Sequence, residues 1–136
     1  MENQSKFEKQ IYEELKNEFD INIKFYTKIN HELFSKTKFL HDFLINEKLI
    51  IEYNGGYWHN DVFTNKKWGN LSKYKLEIIK AHICIKENNK KYLILWENDI
   101  GQNINKVKAL INIALSSEDK FFSSRDIDIE FYKELN

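Results

Sequence analysis

Hydrophobic residues recur at helical spacing in three parts of the chain. In the first part, apolar side chains three and four residues apart predict a helix over 5–19. Ser5 is the candidate N-cap of this helix, and Glu8 lies three residues later, where it can complete a capping box. The same spacing predicts two further helices, over 71–87 and 103–115.

Strand patterns lie between the first two predicted helices. Alternation of apolar and polar residues predicts a strand in which Ile21, Ile23 and Phe25 share one side. Two β-rich runs, 39–45 and 48–53, are separated by two polar residues and predict a hairpin. Three consecutive strands are therefore expected, and the last two are expected to be adjacent in the sheet.

The remaining segments give one clear strand and two weaker patterns. Residues 57–69 are aromatic and polar without periodicity, which is typical of a loop. The continuous apolar run 92–96 has the length of a strand in the interior of a sheet. Near the end of the chain, Ile127, Ile129 and Phe131 alternate, which indicates an edge strand or a packed tail.

The order of these elements predicts an α/β fold. A helix, three strands, a helix, a strand and a helix follow one another within a single domain, 1–136. The strand after the second helix needs a crossover connection, so we expect a mixed central sheet flanked by helices.

The charge balance narrows the possible function. Lys plus Arg and Asp plus Glu number 21 each, so the chain lacks the basic excess of a protein that holds nucleic acid by charge alone. A phosphodiesterase is less affected by this argument, because the carboxylates that hold its metal offset the lysines that contact the nucleic acid.

The cysteine content and the hydropathy pattern indicate an intracellular protein. A single cysteine, Cys84, excludes an internal disulfide and a zinc site of several thiolates. Cys84 falls within a helical pattern, where a buried thiol is expected. No apolar run approaches the roughly 20 residues that span a bilayer. We therefore expect no membrane association and a cytoplasmic location, in a bacterial or phage-infected cell.

Two carboxylates stand in apolar surroundings within the predicted hairpin. Asp42 interrupts an apolar strand, and Glu52 follows three aliphatic residues in the partner strand. A charge in such a position is costly unless it is compensated. A shared divalent cation would compensate both carboxylates. The alternative is that both side chains face solvent on the polar side of the sheet.

Several short motifs surround these carboxylates and resemble a known family. They are, in chain order, Asp42, Glu52-Tyr53-Asn54-Gly55, Tyr57-Trp58-His59 and, after a helix, Trp96-Glu97-Asn98-Asp99-Ile100. Together they resemble the PD-(D/E)XK nucleases related to very short patch repair endonucleases, a branch that includes phage and mobile-element enzymes. The resemblance spans about 7–115 and implies a restriction-endonuclease-like αβββαβ core.

The resemblance implies a metal site built on the hairpin. Asp42 and Glu52 correspond to the ligands of Mg²⁺ or Mn²⁺, and the main-chain carbonyl of Tyr53 is the expected third oxygen. Glu8 corresponds to a helical glutamate beside the metal, although a charge that only caps the helix is equally compatible. His59 corresponds to a histidine that relays a proton, and a surface position is its alternative.

One departure from the family pattern concerns the lysine that gives the superfamily its name. Asn54 stands at that position and cannot supply a positive charge. The candidates to replace the lysine are His59 and Lys80, the latter in a Glu77-x-x-Lys80 pattern that resembles the family's acidic-x-x-Lys helix. Without a replacement, the chain would be a degenerate nuclease that binds without cutting.

The residues after the hairpin are candidates for DNA contact. Glycines let the backbone approach a phosphate, aromatic side chains stack on bases or open a base step, and lysines bind the phosphate backbone. These candidates are Gly55, Gly56, Tyr57, Trp58, Lys66, Lys67, Trp68 and Lys73. Turn formation and anchoring of the loop are the alternative roles of the glycines and the aromatic residues.

The sequence thus predicts a metal-dependent DNA endonuclease that hydrolyses phosphodiester bonds. A homodimer or a partner protein that supplies specificity is compatible with its small size. The alternatives are a catalytically degenerate DNA-binding module and a protein-interaction module that has no nucleic-acid affinity.

Overall fold

The computed structural model describes residues 6–31, 33–34, 38–55, 62–65 and 69–135, and it describes only the backbone over 62–65 and 69–74. Within these ranges the elements are α1 (Lys6–Leu15), β1 (Ile21–Lys28), β2 (Lys38–Ile45), β3 (Leu49–Asn54), β4 (Val62–Asn65), β5 (Gly69–Ser72), α2 (Lys73–Asn88), β6 (Lys91–Trp96), α3 (Glu97–Ile100), α4 (Ile104–Ser116), β7 (Phe121–Ser123) and α5 (Asp126–Glu134).

The main sheet is mixed and has five strands in the order β1-β2-β3-β6-β7. The first three strands are antiparallel neighbours, whereas β6 lies parallel to β3 and β7 lies parallel to β6. Helix α2 forms the connection that returns the chain from β3 to the parallel strand β6. The predicted α/β fold with a mixed sheet, an interior β6 and flanking helices is confirmed.

The turn between β2 and β3 fixes the register of the hairpin. Asn46 and Glu47 both have positive φ, 53° and 58°, as a two-residue type I′ turn requires. The backbone N–H of Lys48 donates to the carbonyl of Ile45 across the turn, at 3.0 Å. Asn46 also accepts a hydrogen bond from the backbone of Asp20, so its side chain holds the start of β1 beside the turn.

The first two strands change faces halfway along their length. Ile23 packs on the cluster that contains Phe43, but Phe25 packs on the opposite cluster, which contains Leu44. Between them, Lys24 has a φ of 60°. The register continues without an inserted residue, from Ile23 opposite Phe43 to Phe25 opposite His41, so the two strands change faces together at this point. The prediction that Ile21, Ile23 and Phe25 share one side was therefore wrong.

Two hydrophobic layers cover the two faces of the sheet. One layer lies under α1 and α4 and includes Phe43, Ile51 and Leu93. The other lies under α2 and α5 and includes Ile50 and Ile94 among its fully buried residues. Because neighbouring residues of β3 and β6 face opposite layers, these strands are buried on both sides, as their continuous apolar runs predicted.

Helix α4 is fixed at both ends by polar side chains. Asn103 caps its N-terminus by accepting from the backbone of Asn105 and Lys106. At the other end, Lys91 Nζ donates to the carbonyls of Ala114, Leu115 and Ser117. Glu97 and Asp99 lie in the short helix α3, which precedes α4.

Two segments differ from the prediction. Residues 57–69 were expected to be a loop, but β4 (62–65) lies within this range and pairs antiparallel with β5, which begins at Gly69. Helix α2 therefore begins at Lys73 and not at position 71. The C-terminal segment is helix α5, not a strand, because its packed residues follow a spacing of three and four. These are Asp128, Ile129, Phe131, Tyr132 and Leu135.

Helix α5 is anchored by a buried polar cluster. Asp128 accepts hydrogen bonds from the indole N–H of Trp96 and from Ser123 Oγ. The edge strand β7, which the sequence did not predict, therefore shares a side-chain network with the helix that follows it. None of the helices in the described part of the chain is long and apolar enough to cross a membrane.

Candidate active site

The two acidic side chains of the hairpin lie together at the end of β3. The antiparallel register pairs Phe43 with Ile51, so the next position places Asp42 opposite Glu52. The backbone N–H of Tyr53 donates to Asp42 Oδ2 at 2.8 Å. The backbone N–H of Asp42 is close enough to the Glu52 carboxylate to help lower its pKa. These contacts connect β2 and β3 beyond Phe43 and Ile51, the last residues that pair in the regular register.

Asp42 is held in an environment that disfavours its charge. Burial raises the pKa of Asp42 to about 7, and the negative charges of Glu52 and Glu8 add to this effect. The hydrogen bond from Tyr53 and the charge of Lys24 oppose the rise without cancelling it. Asp42 is therefore close enough to both Glu52 and Glu8 to be repelled by each.

Glu52 is buried but keeps its charge. Burial by itself would raise the pKa of Glu52, but the charge of Lys80 and the hydrogen bond from His41 outweigh it and lower this pKa. Lys80 Nζ lies 3.9 Å from Glu52 Oε1, and His41 Nδ1 lies 3.1 Å from Glu52 Oε2. Each carboxylate oxygen thus has its own partner.

Lys80 brings an ammonium to the site from helix α2. Its side chain is 9% exposed, with Nζ 3.2 Å from Glu77 and 5.4 Å from the centre of the Phe39 ring. Burial opposes the charge of Lys80, but Glu77 and Glu52 outweigh it and raise the pKa of this ammonium. Lys80 is therefore positively charged. It belongs to helix α2, whereas Asn54 is the last residue of strand β3.

Asn54 and Glu8 border the same site. Asn54 is the last residue of β3 and pairs with Trp96 of β6. Among the residues that the structure describes, its buried Nδ2 has no hydrogen-bond partner, a state that costs free energy unless a ligand accepts the bond. Glu8 is buried in the first turn of α1, with Oε2 4.0 Å from Lys24 Nζ.

Several predicted site residues lie outside the described residues. They are Gly56, Tyr57, Trp58, His59, Lys66, Lys67 and Trp68, to which the side chain of Lys73 is added. Of the other candidates, Gly55 follows directly after β3 and is half-buried. Tyr53 turns its ring toward Phe7, at 5.3 Å between ring centres, so the side chain itself points away from Glu52.

Sequence reasoning missed His41, which contacts Glu52, and also Thr27 and Tyr92, which contact His41. His41 is fully buried and hydrogen-bonded to Glu52, and Thr27 of β1 hydrogen-bonds the other ring nitrogen of His41. A histidine in an apolar run, next to a candidate ligand, was the available signal for His41. Thr27 carried no signal, because its position depends on the change of faces at Lys24.

The donor set fits a hard divalent cation in its chemistry. Carboxylate oxygens are the ligands that Mg²⁺ and Mn²⁺ prefer, and a cation would compensate the buried charge of Asp42, whose pKa is raised by burial and by the repulsion from Glu52. Within the ranges that the structure describes, no three His, Cys, Asp or Glu side chains are already grouped to hold a metal ion. A cation would therefore need main-chain oxygen or water as further ligands.

Comparison of this chain with protein-family models, with curated proteins and with solved structures found no match.

Proposed function

We propose that this chain is a metal-dependent endonuclease that hydrolyses phosphodiester bonds of DNA. The observation that carries the proposal is the joined pair Asp42 and Glu52 at the end of β3, with the buried ammonium of Lys80 beside Glu52. Clusters of this kind, in which a buried carboxylate has a strongly shifted pKa, are typical of functional sites. The resemblance to PD-(D/E)XK nucleases supports the same assignment.

Asp42 and Glu52 would hold Mg²⁺ or Mn²⁺, with the carbonyl of Tyr53 as a further oxygen. When bound, such a cation lowers the pKa of water and offsets negative charge on the phosphate. The chain's own residues supply the rest of the site. Lys80 keeps Glu52 ionised and provides positive charge near the phosphate, and the free amide N–H of Asn54 is available to a phosphate oxygen.

Lys80 would thus take the role of the lysine that the motif lacks. Its ammonium approaches Glu52 from α2, whereas the lysine of the usual motif would follow from the strand itself. His59 stays a candidate for proton transfer, and Glu8 a candidate for a further contact with the cation. The DNA-contacting role of the residues after β3 likewise stays a prediction.

The test is Mg²⁺- or Mn²⁺-dependent conversion of supercoiled plasmid to nicked or linear DNA. Asp42→Asn keeps the shape of the side chain and should abolish cleavage, whereas Glu118→Gln, at an exposed position of the same chain, is the matched control and should cut normally. Cleavage by Asp42→Asn at the wild-type rate would refute the site. One site per chain implies that cutting both strands needs two copies or two encounters.

A second candidate is a nuclease-like module that binds DNA without cutting it. The observation in its favour is that Lys80 and His41 already compensate Glu52 without any cation. Calorimetry with Mn²⁺ separates the two candidates. Binding that Asp42→Asn removes supports the nuclease, and absence of binding together with retained DNA affinity at low salt supports the module.

A further inference from the structure

A chain of buried hydrogen bonds crosses the first three strands and ends on Glu52. Cys84 Sγ of α2 lies 3.5 Å from Thr27 Oγ1 on β1, and Thr27 Oγ1 lies 2.7 Å from His41 Nε2 on β2. His41 Nδ1 lies 3.1 Å from Glu52 Oε2 on β3. His41 has no exposed surface, so water does not compete for either ring nitrogen.

The ionised carboxylate of Glu52 fixes the direction of its bond to His41. An ionised Glu52 can only accept, so His41 Nδ1 must carry the proton that is donated to it. In the neutral ring Nε2 is then an acceptor, and it receives the hydroxyl proton of Thr27. Thr27 Oγ1 in turn accepts from the Cys84 thiol. Tyr92 Oη also lies 3.2 Å from His41 Nδ1, so with the proton on Nδ1 this phenol oxygen is a second acceptor beside Glu52.

We propose that His41 is a positioning residue that holds the Glu52 carboxylate in the orientation in which it binds the divalent cation; this inference rests on the proposed function. Histidine and carboxylate pairs next to a metal orient the ligand and tune its affinity. In this site the roles are exchanged. The carboxylate of Glu52 is the metal ligand, and the imidazole of His41 orients it.

Under this proposal, the change of faces beside Lys24 is what places His41 next to Glu52. Regular alternation would place His41 on the same face as Phe43, under α1, because the two residues are two positions apart. The change of faces at Lys24 places His41 under α2 instead, together with Thr27 and Glu52. A non-glycine residue at positive φ is strained, and such strain concentrates at functional sites.

A metal-independent measurement tests the hydrogen-bond chain directly. In ¹⁵N-labelled wild-type protein without metal, NMR of the imidazole nitrogens should show a proton on His41 Nδ1. A ring without a proton on Nδ1 would contradict the proposal, because His41 could then not donate to Glu52. Thr27→Val removes the hydroxyl that donates to Nε2 and serves as the internal comparison for the Nε2 signal.

Metal affinity tests the positioning role. His41→Leu should weaken Mn²⁺ binding, measured by calorimetry, by about 10- to 100-fold, the usual effect of removing the partner of a ligand. His41→Asn places an amide N–H near the position of Nδ1 and should recover much of the affinity. Ile50→Val is the matched control, since it removes one buried methyl group on the same face of β3 and should leave Mn²⁺ affinity unchanged.

The outcomes separate this inference from the proposed function. Wild-type protein that binds Mn²⁺, with affinity lost in Asp42→Asn but unchanged in His41→Leu, overturns the role of His41 alone. Wild-type protein that binds no Mn²⁺ overturns the metal site and the positioning role together. An equal loss of affinity in His41→Leu and Ile50→Val identifies a general packing effect and also overturns the role of His41.

Discussion

Neutralising Asp42 should stabilise the metal-free protein while it removes one ligand of the proposed metal site. Burial and the neighbouring carboxylates raise the pKa of Asp42 to about 7, so its ionised form is disfavoured in the folded chain. Asn at this position keeps an oxygen that accepts from the backbone N–H of Tyr53. The change therefore removes a repelled charge and retains the cross-strand hydrogen bond.

The magnitude follows from the difference between the folded and the unfolded pKa. The ordinary value is 3.8 and the folded value is about 7, a difference of about three pH units. At about 1.4 kcal/mol per unit, the penalty on the ionised form is at most about 4 kcal/mol. Because Asp42 is partly exposed and solvent screens the repulsion, about 2 kcal/mol is the expected gain.

The pH dependence has a definite sign. Asp42 is protonated in both states below pH 3.8, so the wild-type chain carries no penalty there. As the pH rises toward 7 the unfolded chain loses this proton before the folded chain does, so wild-type stability falls. Asp42→Asn lacks this loss, and its advantage should grow between about pH 4 and 7 and then level off.

Urea denaturation of both proteins at pH 5 and pH 8, with EDTA present, measures the effect. The difference in free energy of unfolding should favour Asp42→Asn and be larger at pH 8. Added Mg²⁺ should stabilise the wild-type protein and leave the variant unchanged, since a ligand stabilises only the state that binds it. A variant less stable than the wild type at pH 8 would refute the account of Asp42.

Three further substitutions test other parts of the structure by urea denaturation. Lys80→Met leaves the buried Glu52 without its cation and should cost about 3 kcal/mol; an unchanged midpoint would contradict the buried ion pair. Lys91→Met removes the ammonium that caps α4 and should cost about 1 to 2 kcal/mol, whereas the exposed Lys133→Met should cost almost nothing. Glu47→Gly should stabilise the hairpin turn by about 0.5 kcal/mol, because Glu47 has positive φ; a loss of stability would show that its side-chain contacts matter more.

The local pattern of residues determined the hairpin and its acidic pair. Hydrophobic runs of the right length, separated by a two-residue turn, specify antiparallel strands, and the turn then fixes which residues lie opposite each other. Asp42 and Glu52 could therefore be placed side by side from the sequence. Helices α1, α2 and α4 were predictable for the same reason, since their periodicity depends only on neighbouring residues.

Contacts between distant segments decided the rest. The change of faces at Lys24, which brings Thr27 and His41 to Glu52, has no local signature in the sequence. Alternation near the end of the chain suggested a strand, but packing of Asp128 against Trp96 favoured helix α5. The sequence by itself determined which residues carry charge in the core and which of them lie opposite in the hairpin. Only the tertiary structure decided which partners compensate that charge, because Lys80 approaches Glu52 from helix α2 and His41 approaches it from strand β2.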